Sequence, residues 1–326
     1  MSISYKDFLA IVSGKVPEMI TQEVLLLAVA MNNTAVVEDL IAKGYQKNIG
    51  IDLEQCLFVA VKKRYLSIVK LLVKAGVNVN FPAGAVLLEA IIRNSLPIVK
   101  FLVHSGAYID IHSYEPLKLA IMHQRMSIIK FLVEKGANID YSDALIYAIH
   151  SQNISIVEYF ISKGAVINDL CFSVAASNEY YDILQFLFKK IKGKISINLV
   201  DALNRAIEHN HTKIAELLIV THKTPVDRNM LYTAIENNNI DIVRFIIQQN
   251  VKVDDQLLSM AVAQDNAPIL ILLLQNKKDA ELGPLFRKAV SLNRPHVIKL
   301  IVALSIEKSE NVKDCVYKFI DLSVSS

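Results

Sequence analysis

The chain has 326 residues, 53% of which are apolar, and its formal net charge is +3. So small a charge gives no electrostatic argument for nucleic-acid binding, which usually shows as a strongly basic surface. The longest apolar runs, at residues 24–31 and 269–274, are far shorter than a membrane span, which needs about 20 residues. The sequence therefore predicts no nucleic-acid partner and no membrane span, and its apolar residues must fill a core built from many short elements.

The first predicted element is a short helix at residues 4–13. Its apolar side chains recur at the spacing of one helical face: Tyr5, Phe8, Leu9 and Val12. Lys6 and Asp7 interrupt any apolar run of the kind that a secretory signal peptide needs. We therefore interpret residues 1–20 as an N-terminal cap helix over the elements that follow.

From residue 21 onward the chain repeats one pattern every 27 to 32 residues, and a single alanine marks each copy. An apolar residue lies three positions before each marker, and an apolar pair begins eight positions after it. These spacings place the apolar residues on one face of each of two successive helices. The ten marker alanines are Ala28, Ala60, Ala90, Ala120, Ala148, Ala175, Ala206, Ala234, Ala261 and Ala289.

Residues that end or begin helices separate the two helices of each copy. Asparagine tolerates the left-handed backbone conformation, and it lies four positions after the marker in half of the copies. Glycine, which commonly ends a helix, follows sixteen positions after the marker in the first five copies, and proline lies near the start of three second helices. The residues are Asn32, Asn94, Asn210, Asn238 and Asn293; Gly44, Gly76, Gly106, Gly136 and Gly164; Pro97, Pro268 and Pro295.

The copies resemble ankyrin repeats. Residues 130–140, Lys-Phe-Leu-Val-Glu-Lys-Gly-Ala-Asn-Ile-Asp, are similar to the second half of an ankyrin repeat, and residues 115–120, Glu-Pro-Leu-Lys-Leu-Ala, are similar to its Thr-Pro-Leu-His-x-Ala opening. The short, degenerate copies resemble ankyrin proteins of intracellular bacteria and large viruses. The resemblance implies an all-α, ankyrin-repeat-like helical solenoid of about ten helix-turn-helix units with shortened or missing β-hairpin fingers. Tetratricopeptide repeats, the alternative, have a 34-residue period and an aromatic signature that this chain lacks.

The copies become less regular along the chain, because later copies lack the helix-ending glycine. We predict regular repeats at residues 21–194, degenerate repeats at 195–308 and a C-terminal cap helix at 309–326. The apolar residues of this last helix are Val312, Cys315, Val316, Phe319 and Ile320. The basic segment Lys189–Lys194 lies at the joint and is interpreted as a solvated connection, with an anion contact as the alternative.

The sequence contains no recognisable catalytic motif. It has no glycine-rich phosphate loop, no GxSxG and no HExxH, and His209 and His211 fit a solvated turn better than a metal site. Three cysteines, odd in number and far apart, fit reduced thiols in a cytoplasmic protein. We therefore predict a cytoplasmic monomer with no catalytic residues, no cofactor and no metal. If the protein is a secreted effector, its location is the host cytoplasm.

The resemblance also implies a binding site. In the ankyrin family a concave groove is lined by first-helix residues two and three positions after the marker, and aromatic residues are favoured at interface centres. The predicted partner-binding residues are Lys62, Lys63, Arg93, Tyr114, Met122, His123, Tyr147, His150, Glu208 and Glu236.

Three functions remain open at this point. The resemblance favours a scaffold or adaptor that binds another protein, with an effector role in a host cell as its extension. The first alternative is an enzyme with its site in residues 195–326, which would show a deep polar pocket with a perturbed acid or base. The second is a structural spacer in a larger assembly.

Overall fold

A computed structural model describes residues 5–13, 15, 21–46, 52–110, 115–137, 140–191 and 197–307. These residues form α-helices, turns and loops, and the described part of the chain contains no strand. The β-hairpin fingers were predicted to be shortened or missing, and loops without strands occupy their place wherever the structure describes the connection. The chain divides into an N-terminal unit, Met1–Val166, and a C-terminal unit, Ile167–Ser326.

The N-terminal unit contains a short first helix and five helix pairs. The predicted N-terminal cap contains the first helix, α1. The predicted C-terminal cap, residues 309–326, lies outside the described residues. The helices are α1 (Tyr5–Val12), α2 (Gln22–Ala30), α3 (Thr34–Gln46), α4 (Leu53–Lys62), α5 (Leu66–Lys74), α6 (Ala85–Ile92), α7 (Leu96–His104), α8 (Glu115–Met122), α9 (Met126–Glu134), α10 (Tyr141–His150) and α11 (Ile154–Ser162).

The C-terminal unit continues the same alternation of first and second helices. One second helix, α15, passes into a π-helical turn at Leu217–Thr221, where His222 N–H donates to Leu217 O at 3.1 Å. The helices are α12 (Asp169–Ser177), α13 (Tyr181–Ile191), α14 (Val200–Glu208), α15 (Thr212–Glu216), α16 (Arg228–Glu236), α17 (Ile240–Ile247), α18 (Asp255–Ala263), α19 (Ala267–Asn276), α20 (Leu282–Ser291) and α21 (Pro295–Glu307).

The marker alanines lie where neighbouring helices pack against one another. All ten have no exposed surface, and the apolar residues three positions before them are buried as well. Within each unit every first helix contacts its second helix and the next first helix, as α4 contacts both α5 and α6. A methyl side chain at this position lets the helices approach closely, which explains why the sequence pattern is anchored on alanine.

The turn between the two helices of every repeat contains one residue in the left-handed conformation, four positions after the marker. The five predicted asparagines adopt it, with φ between 51° and 63°, so that prediction is confirmed. The same conformation occurs at Arg64, Gln124, Gln152, Glu179 and Asp265, where no glycine or asparagine is present. Four of the predicted helix-ending glycines have positive φ, but α3 continues through Gly44 to Gln46. The assignment of Gly44 as a helix end was therefore wrong.

Side chains in these turns form hydrogen bonds to the neighbouring repeat. Tyr65 Oη donates to Ala30 O at 3.4 Å, and Arg125 donates to Ile92 O at 3.2 Å. In the C-terminal unit, Asn237 Nδ2 donates to Ile207 O at 2.8 Å and Gln264 Nε2 donates to Glu236 O at 3.0 Å. These bonds satisfy carbonyl groups at the carboxyl ends of first helices, which have no partner inside their own helix.

Candidate functional site

The predicted binding residues of the N-terminal unit lie at the carboxyl ends of successive first helices. Lys62 is the last residue of α4, Met122 is the last of α8 and His150 is the last of α10, while Arg93 and His123 directly follow α6 and α8. Because α4, α6, α8 and α10 contact one another in this order, the structure brings these side chains to one edge of the helix layer. Tyr114, also predicted, lies outside the described residues.

Three apolar side chains at this edge are exposed, and the first of them is Met31, which directly follows α2 and is 40% exposed. Met122 is 45% exposed and Ile92, at the same repeat position in α6, is 37% exposed. Lys62, Lys63 and Arg93 are exposed beside them. Exposed apolar residues grouped with cationic ones are typical of a surface that contacts another molecule, because burial of the apolar part and charge pairing then act together.

A band of partly exposed apolar residues continues along the same helices toward their amino ends. In α2, α4, α6, α8 and α10 the two residues before the marker alanine are partly exposed, between two pairs of buried residues. Eight of these ten residues are apolar: Leu26, Leu27, Phe58, Val59, Leu88, Leu119, Ile146 and Tyr147. We call these eight residues, together with Ile92 and Met122, the apolar band. Of this band the sequence-based prediction named Met122 and Tyr147, and its rule of two positions after the marker also covers Ile92.

The apolar band lies between two edges of opposite charge. The basic edge, at the carboxyl ends of the helices, consists of Lys62, Lys63, Arg93, His123 and His150. The acidic edge, in their first turns, consists of Glu23, Glu54, Glu115 and Asp143. This order agrees with the helix dipole, which favours acids at the amino end and bases at the carboxyl end. We call the apolar band together with its basic and acidic edges the first-helix face.

Three contacts hold charged side chains within this face. The Arg93 guanidinium bonds to the Glu89 carboxylate at 2.7 Å, and Glu89 is only 14% exposed. The Lys118 ammonium lies 5.3 Å from the centre of the Tyr147 ring and 3.9 Å from the Glu115 carboxylate. Glu89 and Lys118, the two charged residues between the apolar ones, are thus paired within the protein, and the surface that the band presents to a partner is mainly apolar.

The two remaining predicted binding residues lie in the C-terminal unit. Glu208 ends α14 and Glu236 ends α16, and both are exposed. The two residues before the marker here are mostly polar, such as Asn204, Arg205 and Thr233, so the apolar band has no counterpart. Glu208 lies 3.6 Å from the Arg205 guanidinium. The structure therefore divides the predicted site into a basic, apolar group in one unit and an acidic, polar group in the other.

The cavities described in the C-terminal unit bear on the enzyme alternative. One, of about 450 Å³, is lined mainly by apolar residues that include Ile271, Leu282 and Leu304. Another, of about 430 Å³, is lined by polar groups that include Arg228 and Asp254. The hydrogen bond from Arg228 holds the pKa of the Asp254 carboxyl below its ordinary value, so this group stays ionised at neutral pH. An ionised, ion-paired carboxylate cannot act as a general acid.

The histidine pair of the C-terminal unit is held by backbone carbonyl groups. His209 Nδ1 lies 2.9 Å from Arg205 O, and His211 Nδ1 lies 2.8 Å from Ala176 O. Within the part of the chain that the structure describes, no three acidic, histidine or cysteine side chains come together as a metal site would require. The geometry agrees with the interpretation of this pair as part of a turn.

Asp254→Asn is expected to lower stability by up to about 1 kcal/mol at neutral pH, the usual upper value for an exposed ion pair. Asparagine keeps the helix cap that Asp254 provides to α18, where Leu257 N–H donates to the carboxylate at 3.0 Å, but loses the 2.6 Å ion pair to Arg228. Because the pKa of Asp254 is lowered in the folded protein, its charge stabilises the fold above about pH 3.9, its unfolded value, and this contribution disappears as pH falls through the lowered pKa. Urea unfolding of both proteins between pH 7 and pH 3 should show midpoints that converge below about pH 4, and a difference that is independent of pH would contradict this role.

The match to a protein-family model agrees with the repeat pattern. A family model for ankyrin repeats matches the chain in three copies, at residues 25–113, 87–171 and 172–257. The crystal structure of the human ASB11 ankyrin repeat domain has 20% sequence identity and a TM-score of 0.43, and the match covers 51% of this chain and 82% of that chain. No curated protein sequence matches the chain. No helix among the described residues has both the length and the apolar character needed to cross a membrane.

Proposed function

The chain belongs to the ankyrin repeat family, and we propose that it is a scaffold or adaptor that binds a partner protein on the first-helix face of its N-terminal unit. Ankyrin repeats are protein-interaction modules, and a stack of repeats presents an extended surface without any catalytic residue. The observation that carries the proposal is the exposure of Ile92 and Met122 within a row of cationic side chains.

The contrast between first and second helices supports this assignment. The second helices of the N-terminal unit carry lysines at regular intervals too, at Lys70, Lys100 and Lys130, and these are exposed. The apolar pair before each of these lysines is buried, and the partly exposed apolar residues near them, such as Leu71 and Phe101, are single residues and not adjacent pairs. The first-helix face therefore differs from the second helices in that its cationic residues lie beside adjacent pairs of partly exposed apolar residues.

Charge reversal at Lys62, Lys63 and Arg93 tests the proposal. The triple change to glutamate is expected to weaken partner binding at least about tenfold, since rim charges each contribute roughly 0.2–1 kcal/mol and reversal adds repulsion. It should also reduce the dependence of binding on salt. A partner captured from cell lysate with the intact chain and identified by mass spectrometry is titrated against both proteins at two salt concentrations.

The matched control is the triple change Lys70, Lys100 and Lys130 to glutamate. It alters the net charge by the same amount but lies on α5, α7 and α9, so binding should stay within about twofold of wild type apart from a general charge effect. Both triple variants should keep the helical circular dichroism signal, because all six side chains are exposed. If the first-helix variant binds as tightly as the control, the proposed site is wrong.

We also propose that the protein acts in the cytoplasm. Cys56 and Cys171 are free, buried thiols, and burial raises the pKa of Cys56 to about 12. Unpaired, unreactive thiols suit a reducing compartment. The compositional resemblance to ankyrin proteins of intracellular bacteria and large viruses extends the proposal to an effector in a host cell. Fractionation of cells that make the protein, followed by immunoblotting, tests both locations.

A further inference from the structure

We infer that the occupant of the first-helix face is an amphipathic α-helix of the partner, with an acidic side that lies along the basic edge. This inference rests on the proposed function, because it specifies what the same surface recognises. It depends on three independent features of the N-terminal unit: the backbone groups that the face offers, the dimensions of the apolar band and the order of the two charged edges.

At the residue pairs before each marker alanine, the face offers side chains but no free backbone hydrogen-bonding groups. These pairs lie in the middle of the helices, where N–H and C=O groups bond within the helix, whereas the carbonyl groups without such partners lie at the carboxyl ends. No strand edge occurs in the described residues of this unit. The backbone N–H and C=O groups of an extended peptide on the apolar band would therefore lose their hydrogen bonds to water without gaining hydrogen bonds to the protein, which is costly in free energy. A helix has already satisfied its backbone and can be buried on one face without this cost.

The apolar band fits the length and width of a helix. It crosses five first helices, α2 to α10, and packed helices lie about 9 Å apart, so the band is roughly 36 Å long. A helix rises 1.5 Å per residue, so about 24 residues, close to seven turns, would cover it. Each first helix contributes about one pair of apolar residues, a width that suits the single apolar stripe of an amphipathic helix.

The two edges select the charge pattern of that helix. On one side of the band Lys62, Lys63 and Arg93 would meet acidic residues of the occupant, and on the other side Glu54 and Asp143 would meet basic ones. Each edge has a member that is paired within the protein, Arg93 with Glu89 at 2.7 Å on the basic edge and Glu115 with Lys118 at 3.9 Å on the acidic edge. The order of the two edges therefore selects an occupant with acids on one side of its apolar stripe and bases on the other.

A display library of random 24-residue peptides, selected on the full-length protein, tests the inference. We expect enriched sequences with apolar residues at i, i+3, i+4 and i+7 and with acids along one side of that stripe. One enriched peptide, synthesised with a fluorescent label, should gain helical circular dichroism on binding. A proline placed at a mid-peptide position on its polar face should weaken binding by at least tenfold, because proline breaks a helix but is compatible with an extended chain.

The protein variants for this test are the pair Ile92→Lys and Met122→Lys, and a matched pair, Ile154→Lys and Ile271→Lys. The four side chains are exposed to similar extents, between 37% and 45%, but Ile154 and Ile271 lie on second helices. We expect at least a tenfold loss of peptide affinity for the first pair and less than a twofold change for the second. Circular dichroism should show both double variants folded.

The outcomes separate this inference from the proposed function. Enrichment of alternating or proline-rich sequences, tolerance of the mid-peptide proline, or absence of any peptide that distinguishes the two double variants would overturn the helix inference. If the lysate partner still loses binding to the Lys62, Lys63 and Arg93 reversal in that case, the proposed site stands without the helix. If the partner is insensitive to the reversal, both are wrong.

Discussion

Asn238→Pro is expected to destabilise the protein by at least about 3 kcal/mol, whereas Asn238→Gly should change its stability by less than about 1 kcal/mol. Asn238 has φ of 59° in the turn between α16 and α17, a conformation that glycine adopts freely and proline cannot. Proline also removes the N–H that donates to Ile235 O at 2.9 Å. Proline also disfavours the helical backbone conformation of the residue before it. That residue is Asn237, whose φ of −76° and ψ of −1° are in the helical region.

Comparison of the two variants isolates the backbone effect. Both lose the hydrogen bond in which Asn266 donates to the Asn238 side chain, so that loss cancels between them. Urea unfolding followed by circular dichroism should give a midpoint near wild type for the glycine variant and a much lower one for the proline variant. Equal midpoints would mean that the left-handed turn is wrongly placed.

A fragment of residues 1–166 is expected to keep its helical structure without the rest of the chain. The contacts of α2 to α10 with one another lie within this unit, and the buried pairs of each repeat pack against the repeats beside it. In a stack of repeats each member is stabilised by itself and by its neighbours, and no contact between distant parts is needed. The fragment 167–326 should be less stable, because its repeats lack the helix-ending glycine and contain the π-helical turn.

Circular dichroism and urea unfolding of the two purified fragments provide the measurement. A protein with a single interleaved core would behave in the opposite way, because division would remove core residues from both fragments and unfold both. A random-coil spectrum for residues 1–166, beside a helical spectrum for the whole chain, would therefore contradict the repeat-stack description.

The helical repeats could be predicted from the sequence because their determinants are local. The marker alanine, the apolar residue three positions before it and the apolar pair after it lie within one helix pair, and their periodicity alone identifies the buried faces. The predicted asparagine turns, such as Asn94 and Asn210, were confirmed for the same reason. The places of Lys62, Arg93 and His150 also followed from register, whereas their role in binding stays a prediction.

Other features could not be predicted because they depend on residues about 30 positions apart or on packing. The hydrogen bond from Tyr65 to Ala30 joins two repeats, and nothing in either sequence segment indicates the other. Arginine at position 64 does not favour a left-handed turn, yet the packing of α4 against α5 imposes one. The apolar residues before each marker, such as Phe58 and Leu88, resemble core residues in the sequence, and only the structure shows that they are partly exposed.

The left-handed turn is also a position at which the stability of each repeat can be changed separately by substitution. Arg64, Gln124, Gln152, Glu179 and Asp265 hold a conformation that costs a side-chain-bearing residue about 1 kcal/mol more than glycine. Replacement of Arg64, Gln152 or Glu179 by glycine or asparagine would strengthen its own repeat and shift the point at which thermal unfolding starts along the chain. Gln124 and Asp265 are different, because Gln124 Nε2 donates to Ser151 O at 2.7 Å and Asp265 accepts from Val297 N–H at 3.0 Å, and a substitution would lose these bonds to the next repeat. None of these residues belongs to the first-helix face, so substitutions in the turns can change the lifetime of the folded protein without changing the surface that binds its partner.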